Sequence, residues 1–540
     1  MPEYLTPGVY MEEISVGPKP IEGVGTSTAG MIGLTERGPV GVRLVTNMGE
    51  YQRYYGGYLK NSYLPTAVEG FFANGGGRCF IGRIIAKDAT TSRIRYEGMF
   101  PRATGPGEWG DRIGILVLNT NADASTDPLT PQKKDSFRIV IAYWKDSAPD
   151  LSSIPQLTAG ANTEEINKWN YAINQVLDNA DTVETFDELS MTVSSPAYFA
   201  KVINSQSFLI SVTKSETSED DEKPDTDLSA RPTNTANFVF LQGGTQPSPI
   251  ADLDDFKGDP SAPAGKKTGL EAFREVDEIN IVYCPDIHWG NLDKEALQKA
   301  IVAHCESMKD RFAILDSPQG EKLVPNVKPP VDSTYAAYYY PWIKVYDPLL
   351  KDRKLVPPGG FVAGIYARSD IERGVHKAPA NEIVKGALEM EFPISKEQQA
   401  ILNPRGVNVI RQFPGRGIRV WGARTASSDP EWKYINVRRL FLYVEESIEK
   451  GTQWVVFEPN NEQLWARVKQ SITNFLTTVW RDGALMGSTP EQAFFVDIGF
   501  STMTPADLDN GKLICMIGIA PTKPAEFVIF RIFQKTLEVK

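Results

Sequence analysis

The pattern of hydrophobic residues in the last third of the chain predicts a long helix with one buried face. Apolar side chains recur every three or four positions between residues 460 and 482, which is the period of an amphipathic helix. Asn460 or Asn461 can cap the start of this helix, and Gly483 follows its end. Its apolar positions are Leu464, Val468, Ile472, Phe475 and Val479.

The middle of the chain carries the pattern of a strand, a helix and a second strand. Residues 279–284 and 312–315 are short apolar runs typical of buried strands, and residues 293–308 between them have the length of a helix. Such a β-α-β succession implies parallel strands joined by a right-handed crossover. Residues 333–346 are rich in aromatic side chains and are predicted to form one further strand.

A similar mixed pattern near the beginning of the chain is interrupted by a long segment of different character. Residues 29–34 and 79–85 are predicted strands, and residues 66–73 a helix. Between residues 101 and 262, Ser, Thr and Asp dominate the connections and one loop is strongly acidic. We therefore expect a domain inserted into an α/β domain at 101–262.

The first 25 residues are predicted to form an extended arm rather than part of a domain. They contain four prolines and one alternating segment, residues 9–14, which has no local strand to pair with. Ordering residues 4–11 costs roughly 1–2 kcal/mol each. A strand ladder returns about 1 kcal/mol per hydrogen bond, and burial about 1.5–3 kcal/mol per large apolar side chain. Because these terms nearly cancel, the arm should order only by adding a strand to a partner's sheet.

The other end of the chain is apolar on both sides of a predicted strand. In residues 526–533, Phe527 and Ile529 point one way, whereas Val528 and Phe530 point the other. A strand with two apolar faces is expected inside a sheet that is covered on both faces.

Composition and charge narrow the possible functions. A chain of 540 residues suggests about three or four domains. Its net charge of −11 argues against wholesale binding of nucleic acid or anionic lipid. No apolar stretch approaches 18 residues and residues 1–10 lack a signal-peptide pattern, so no membrane insertion is expected. The four cysteines form no C-x-x-C pair and are expected to be thiols in a reducing compartment.

Three residues form the best candidate for an enzymatic site. Asp286 and His288 follow one predicted parallel strand and Asp316 follows the next, at the strand ends where α/β enzymes place their chemistry. Two carboxylates and an imidazole could hold a metal ion. Asp and His are also common in such loops as caps and turn formers, which is the interpretation we favour. A metal-dependent α/β enzyme remains an alternative function.

A basic segment between residues 405 and 439 is the second unusual feature. It contains eight Arg and Lys residues opposed only by Asp429 and Glu431. Nucleic-acid binding is one interpretation, and ordinary surface charge is another. We favour a charged protein–protein surface, because guanidinium groups pair well with carboxylates and the aromatic residues here form no base-stacking platform.

Several motifs of the C-terminal third resemble one known family. These are FPGRGIRVWGART (413–425), YINVRRL (434–440), WVVFEPNNEQLW (454–465), GALMGSTPEQAFFV (483–496) and LICMIGIAPTKPAEFVIFRIFQ (513–534). Their succession is similar to that of the tail sheath proteins of contractile phages and related contractile injection systems. YLTPGVYMEEI (4–14) also fits this family.

The resemblance implies a structural subunit rather than an enzyme. Members of this family assemble helically as hexameric rings around an inner tube, and the polymer contracts to drive the tube through a target cell envelope. Neighbouring subunits exchange terminal strands, and no cofactor is used. The implied partners are further sheath subunits, the inner tube, the baseplate and a tail terminator or cap. Assembly in the bacterial cytoplasm would precede incorporation into a phage tail or injection particle.

The implied fold is a multidomain α/β (α+β) protein with a mixed-sheet core, an inserted outer domain and extended terminal strand arms. The expected parts are an N-terminal arm (1–25), a discontinuous middle α/β domain (26–100 and 263–395), the inserted outer domain (101–262), a C-terminal inner domain (396–524) and a C-terminal strand arm (525–540).

The resemblance also implies contact roles for two groups of residues. The contacts between subunit arms are assigned to Val9, Tyr10, Met11, Phe527, Ile529 and Phe533. The charged contacts with the tube or other sheath subunits are assigned to Arg411, Arg416, Arg419, Arg438, Arg439, Arg467 and Lys469.

Overall fold

The computed structural model describes residues 20–121, 135–158, 160–213, 231–246, 252–288, 290 and 292–531. Its helices are α1 (Met48–Tyr55), α2 (Leu64–Ala73), α3 (Thr163–Asp178), α4 (Phe199–Gln206), α5 (Leu253–Lys257), α6 (Gly269–Phe273), α7 (Lys294–Met308), α8 (Gly359–Arg373), α9 (Lys396–Leu402), α10 (Ile435–Gly451), α11 (Glu462–Arg481), α12 (Pro490–Ala493) and α13 (Pro505–Asp509). Its strands are β1 (Ala29–Gly33), β2 (Arg43–Val45), β3 (Cys79–Arg83), β4 (Pro101–Ala103), β5 (Ile113–Leu118), β6 (Ser136–Tyr143), β7 (Thr182–Ser190), β8 (Ile210–Val212), β9 (Val239–Phe240), β10 (Ile281–Tyr283), β11 (Phe312–Asp316), β12 (Ala336–Tyr340), β13 (Ile343–Asp347), β14 (Asp352–Val356), β15 (Glu382–Ile383), β16 (Glu389–Met390), β17 (Val407–Phe413), β18 (Gly417–Trp421), β19 (Phe494–Ile498) and β20 (Cys515–Ile519).

A nine-stranded mixed sheet forms the centre of the molecule. Its strand order is β15-β18-β17-β12-β11-β10-β1-β3-β2. The six strands from β17 to β3 run parallel, and antiparallel strands lie at both edges. The inner strands β1, β3, β10, β11 and β12 are buried along their whole length, as expected when helices cover both faces of a sheet.

Separate hydrophobic cores lie on the two faces of this sheet. On one face, α1, α2 and α8 contribute Tyr51, Phe71 and Tyr366 to the core. On the other face, α6 and α7 contribute Phe273 and Ile301. The mixed α/β fold class predicted from the sequence is confirmed.

The predicted β-α-β unit is present, whereas one predicted strand is divided in two. Strands β10 and β11 are parallel and are joined by α7, whose first turn is capped by the Asp293 side chain. The prediction of one continuous strand over 333–346 is wrong. Pro341 follows β12, and the chain then enters β13, which belongs to a separate three-stranded sheet with β14 and β16. Proline has no N–H group for a strand ladder, which is why the strand ends there.

The insert is built on a four-stranded antiparallel sheet in the order β7-β6-β5-β9, with a hydrophobic core on each face. The strand pairing of the insert begins before residue 101, the predicted start of this domain, because Thr90 forms a β-bridge with Thr245. It also ends before residue 262, because Phe256 of α5 is buried in the core of the large sheet. The chain therefore passes from the insert to the large-sheet domain between Thr245 and Phe256, within the Ser- and Pro-rich stretch of residues 243–266.

The C-terminal unit packs α10 and α11 against the antiparallel pair β19–β20. The helix predicted over 460–482 is confirmed: α11 begins after Asn461, whose side chain accepts a hydrogen bond from the Leu464 N–H at 3.0 Å. Among the described helices, none has the length and hydropathy needed to cross a membrane.

Candidate assembly surfaces

The most exposed hydrophobic segment lies near the C-terminal end. Phe527, Val528, Ile529 and Phe530 are between 66% and 84% exposed and belong to no described strand. The expectation that these residues lie inside a sheet covered on both faces is therefore wrong for the chain alone. Four consecutive apolar side chains in water indicate a surface that another molecule covers.

The residue just before this segment is held firmly. The carboxylate of Glu526 accepts hydrogen bonds from Arg424 Nε (2.8 Å) and Nη2 (2.7 Å), from Asn403 Nδ2 (2.7 Å) and from Tyr434 Oη (3.1 Å). Burial alone would raise the pKa of Glu526, but the hydrogen bonds and the guanidinium charge outweigh it and lower the pKa below its ordinary value. The exposed segment thus leaves the molecule from a fixed point.

The two-stranded sheet β19–β20 is a candidate site for the addition of a strand. Phe494 and Val496 on one face pack against the C-terminal core. On the other face, Phe495 and Met516 are 56% and 55% exposed. Within the described residues neither strand pairs with a third strand, so both outer edges keep backbone hydrogen-bonding groups available.

Four of the residues assigned to arm contacts lie outside the described residues. They are Val9, Tyr10, Met11 and Phe533. Their contact role stays a prediction, as does that of Phe527 and Ile529.

Two of the predicted charged contact residues are buried inside the chain. Arg439 forms a two-pronged ion pair with Asp370, with distances of 2.9 Å and 2.6 Å, and both side chains are 3% exposed. Arg438 lies between the rings of Trp432 and Tyr335, at 3.6 Å and 4.6 Å from their centroids. Neither guanidinium offers an exposed surface in the described chain, so both act here as internal structural groups.

Three other predicted contact residues lie on the hairpin of β17 and β18. Arg416 is exposed at its turn, where Gly415 and Gly417 adopt the left-handed conformation with φ of 71° and 76°. Arg419 donates to the Asn381 carbonyl at 2.7 Å, and Arg411 donates to Gln399 Oε1 at 2.9 Å. The hairpin therefore presents one free and two partly engaged guanidinium groups.

The polar face of α11 presents Arg467 and Lys469, which are both exposed. Arg467 also stacks over Trp454, at 4.7 Å from its ring. Phe457, in the same region, is not among the residues predicted from the sequence to make contacts. It is fully exposed, and its φ of 68° is a left-handed conformation that is unfavourable for an aromatic residue. An aromatic residue within FEPNN, just before a helix cap, was the available signal.

Two models of one protein family match the second half of the chain. Residues 262–426 match the central domain of phage tail sheath proteins, and residues 427–535 match the phage tail sheath C-terminal domain. Together the matches cover slightly more than half of the chain. The chain belongs to the tail sheath family.

Individual relatives of this sheath protein are distant in sequence. A prophage major tail sheath protein of Pseudomonas aeruginosa is 25% identical over 312 residues, which is 55% of this chain and 78% of the relative. The contracted sheath of an extracellular contractile injection system, PVC, is 22% identical, with a TM-score of 0.56 over 99% of both chains. A chain in the baseplate of the anti-feeding prophage is 23% identical, with a TM-score of 0.53 over 99% of this chain and 100% of its own. The alignments with these two structures extend over 99% of this chain, and the likeness is one of overall fold.

In this sheath protein, the carboxylates considered for catalysis serve as internal hydrogen-bond acceptors. Asp286 accepts hydrogen bonds from the Leu34 N–H at 2.7 Å and from Ser62 Oγ at 2.8 Å. Asp316 accepts one from Tyr283 Oη at 2.7 Å. Both are buried, and burial raises the pKa of Asp286 to about 6 and that of Asp316 to about 7.

The third member of that set is equally enclosed. His288 packs against Trp342 with ring centroids 5.1 Å apart, and burial lowers its pKa to about 3. Within the described ranges, no group of three or more His, Cys, Asp or Glu side chains is placed to hold a metal ion. The geometry therefore does not support the metal-dependent alternative.

The basic segment 405–439, which was considered for nucleic-acid binding, does not expose all of its charges. Arg424, Arg438 and Arg439 are less than 9% exposed and are engaged with Glu526, aromatic rings and Asp370, respectively. Of the other basic side chains in this segment, Arg411 and Arg419 are only partly exposed and donate hydrogen bonds to Gln399 and to the Asn381 carbonyl.

Proposed function

We propose that this sheath protein polymerises as hexameric rings stacked helically around an inner tube, and that the polymer shortens to drive the tube through a target cell envelope. Family membership supports this function. The observation that carries it is an unpaired apolar segment, 527–530, in a chain that also has a two-stranded sheet with open edges. One copy supplies a strand and the next copy supplies the edge.

The energetics favour this exchange. Burying the four side chains of 527–530 returns roughly 1.5–3 kcal/mol each, and each new ladder hydrogen bond adds about 1 kcal/mol. The segment is ordered up to Glu526 in the single chain, so less conformational entropy is lost when it docks than for a free tail. Phe527, Ile529 and Phe533 are the proposed anchors at this end, and Val9, Tyr10 and Met11 are the anchors at the other end.

Charged contacts with the inner tube are proposed for the exposed basic residues. Arg467 and Lys469 project from α11, and Arg416 projects from the β17–β18 turn. Arg411 and Arg419 reinforce the hairpin and can also reach a partner. The proposed tube surface is acidic, because guanidinium and ammonium groups pair with carboxylates.

The remaining proposed partners and the location follow from the family. The baseplate of the anti-feeding prophage contains a chain of this fold, which supports a baseplate contact, and a terminator or cap would close the other end. Subunits would assemble in the bacterial cytoplasm and then become part of a phage tail or injection particle. Contraction would release energy stored in the extended polymer, with neither a cofactor nor a bond-breaking reaction.

The strand-exchange step is tested by removing each arm contact. Deletion of residues 1–14, or the substitution Phe527→Asp combined with Ile529→Asp, should give folded monomers in place of tubes by negative-stain electron microscopy. Tyr171→Asp is the matched control, because Tyr171 is 68% exposed on the insert and has no assigned contact role. Normal tubes from the arm variants would refute strand exchange.

The tube contact is tested separately. Reversing both charges on α11, with Arg467→Glu and Lys469→Glu, should leave sheath polymerisation intact but abolish co-purification with the tube protein. Lys201→Glu, on the exposed face of α4, is the control for charge alone. Unchanged tube binding at moderate salt would assign the tube contact to another surface.

A further inference from the structure

Both terminal segments of the described chain are fastened to the same helix, α10. The N-terminal segment, residues 21–24, contacts the last turns of α10. The Val24 N–H donates to Ser447 Oγ at 3.1 Å, and Ile21 is buried against Gly451. Gly23 lies directly against the Tyr443 ring, where a Cβ atom would overlap the hydroxyl. The chain therefore leaves α10 near its C-terminal end, travelling toward residue 1.

The C-terminal segment meets the opposite end of α10. Tyr434, the residue that precedes the helix, donates its hydroxyl to Glu526 at 3.1 Å. Asn436 in the first turn donates from Nδ2 to the Thr522 carbonyl at 3.1 Å and is 2% exposed. The exposed segment 527–530 therefore begins beside the N-terminal end of α10.

The helix between these two fastening points cannot slide or tilt freely. The buried Arg439–Asp370 pair joins it to α8, and Thr26 adds to that joint, because its carbonyl accepts from Arg439 at 2.8 Å and its hydroxyl donates to Asp370 at 2.7 Å. Arg438 is enclosed between two aromatic rings. At 1.5 Å per residue, the 17 residues of α10 separate its ends by about 25 Å.

We propose that α10 is a rigid spacer that sets the distance between the points where the two terminal arms leave the subunit. The inference rests on the proposed strand exchange between copies. If each subunit gives one strand at either end of α10, the length and orientation of this helix fix the separation of the two exchanges. The spacing of the polymer then depends on contacts that lie wholly inside one subunit.

A matched pair of glycines in the N-terminal segment allows a sharp test. A Cβ atom at Gly23 would overlap the Tyr443 hydroxyl, whereas a Cβ atom at Gly25 would meet no atom within 4 Å. Neither glycine adopts the left-handed conformation, so the same substitution is tolerated equally by both backbones. Gly23→Leu should lift the segment from α10, and Gly25→Leu should leave it in place. Glu526→Ala releases the segment at the other end.

The first measurement is a distance distribution between spin labels in the monomeric protein. Cysteines placed at the exposed positions Glu22 and Phe527 carry the labels, in a Cys515→Ser background that removes the half-buried thiol. The parent and Gly25→Leu should give one narrow distribution, while Gly23→Leu and Glu526→Ala should each broaden it. Narrow distributions in all four proteins would overturn the spacer, because the fastening contacts would then not control the arm exits.

The second measurement is assembly of the same variants, without labels, on the tube protein. Gly25→Leu should form tubes with the rise and twist of the parent, and the two release variants should form fewer tubes or tubes with altered helical parameters. Parent-like tubes from a variant with a broadened distance distribution would overturn the proposal. Failure of the parent itself to form tubes would instead refute the proposed function, and the label distances would still decide whether α10 fixes the arm exits.

Discussion

Removal of the Arg439 guanidinium should loosen α10 more than any other single change in the basic segment. In Arg439→Met the stem of the side chain is retained, but the carboxylate of Asp370 stays buried at 3% exposure with Thr26 Oγ1 as its hydrogen-bond donor. The Thr26 carbonyl also loses its donor. Breaking a buried ion pair in this way typically costs about 3–5 kcal/mol.

Hydrogen exchange is the suitable assay, because a chain with several domains has no single free energy of unfolding. The amides of α10 exchange through opening of this helix, so a loss of about 3–5 kcal/mol corresponds to an increase in exchange rate of roughly a hundredfold to a few thousandfold. Amides of β6, in the insert, serve as the internal reference because that sheet lies in a separate core. Their exchange should not change.

The paired substitution Asp370→Leu with Arg439→Met separates the ion pair from simple packing. Replacing both charges by apolar groups removes the uncompensated carboxylate, so most of the lost protection of α10 should return. An increase of less than tenfold in Arg439→Met would refute this reasoning. So would a double variant that exchanges as fast as the single one.

Three further predictions concern other parts of the subunit. Burial raises the pKa of the Asp316 carboxyl to about 7. The contribution of this group to the stability of the folded chain is therefore greatest near pH 4 and falls as the pH rises to 7, by up to about 1.4 kcal/mol per pH unit. The Asp316→Asn variant should have a higher melting temperature than the parent at pH 8 and should lose that advantage at pH 4. Phe457→Gly should stabilise the C-terminal unit by about 1 kcal/mol through relief of its left-handed backbone, whereas Phe457→Ala should not, as melting temperatures will show. Gly360→Ala should cost about 1–3 kcal/mol, because its Cβ would lie 2.6 Å from the backbone of Ala67, while Gly77→Ala, in open space, should be neutral in the same melts.

The parts of this fold that the sequence predicts are those specified by local patterns. The helix α11 appears within two residues of its predicted bounds, because its apolar period, its Asn461 cap and the Gly483 after it all act within one turn of the chain. The β10-α7-β11 unit is predictable for the same reason, since each element has its own period and Asp293 marks the start of the helix.

The features that the sequence does not predict depend on partners far away along the chain. Arg439 looks like one more surface charge until α8 brings Asp370 beside it, 69 positions earlier. Phe256 lies in a polar stretch that resembles a linker, yet it fills a core made by distant strands. No local pattern carries such information.

The segment after Glu526 fails as a prediction for a different reason. Its two-sided apolar pattern predicts a strand that is covered on both faces, whereas these side chains are exposed in the described part of the chain. A sequence is selected in its assembled state, so a pattern can be accurate about the polymer and wrong about the monomer. The mismatch therefore supports the proposal that a second copy covers this segment.

The net charge of the subunit bears on how readily separate copies approach one another. A net charge of −11 makes separate copies repel one another, and at physiological ionic strength this repulsion is screened beyond about 8 Å. The repulsion therefore acts mainly on copies that have come within about that distance of each other. Addition of a strand requires contact at hydrogen-bond distance. The hydrogen bonds between Arg424 and Glu526 fix the point on the subunit where the apolar segment begins. In the proposed strand exchange, association would be favoured where an open β19–β20 edge is already in place, as it would be at the growing end of a polymer.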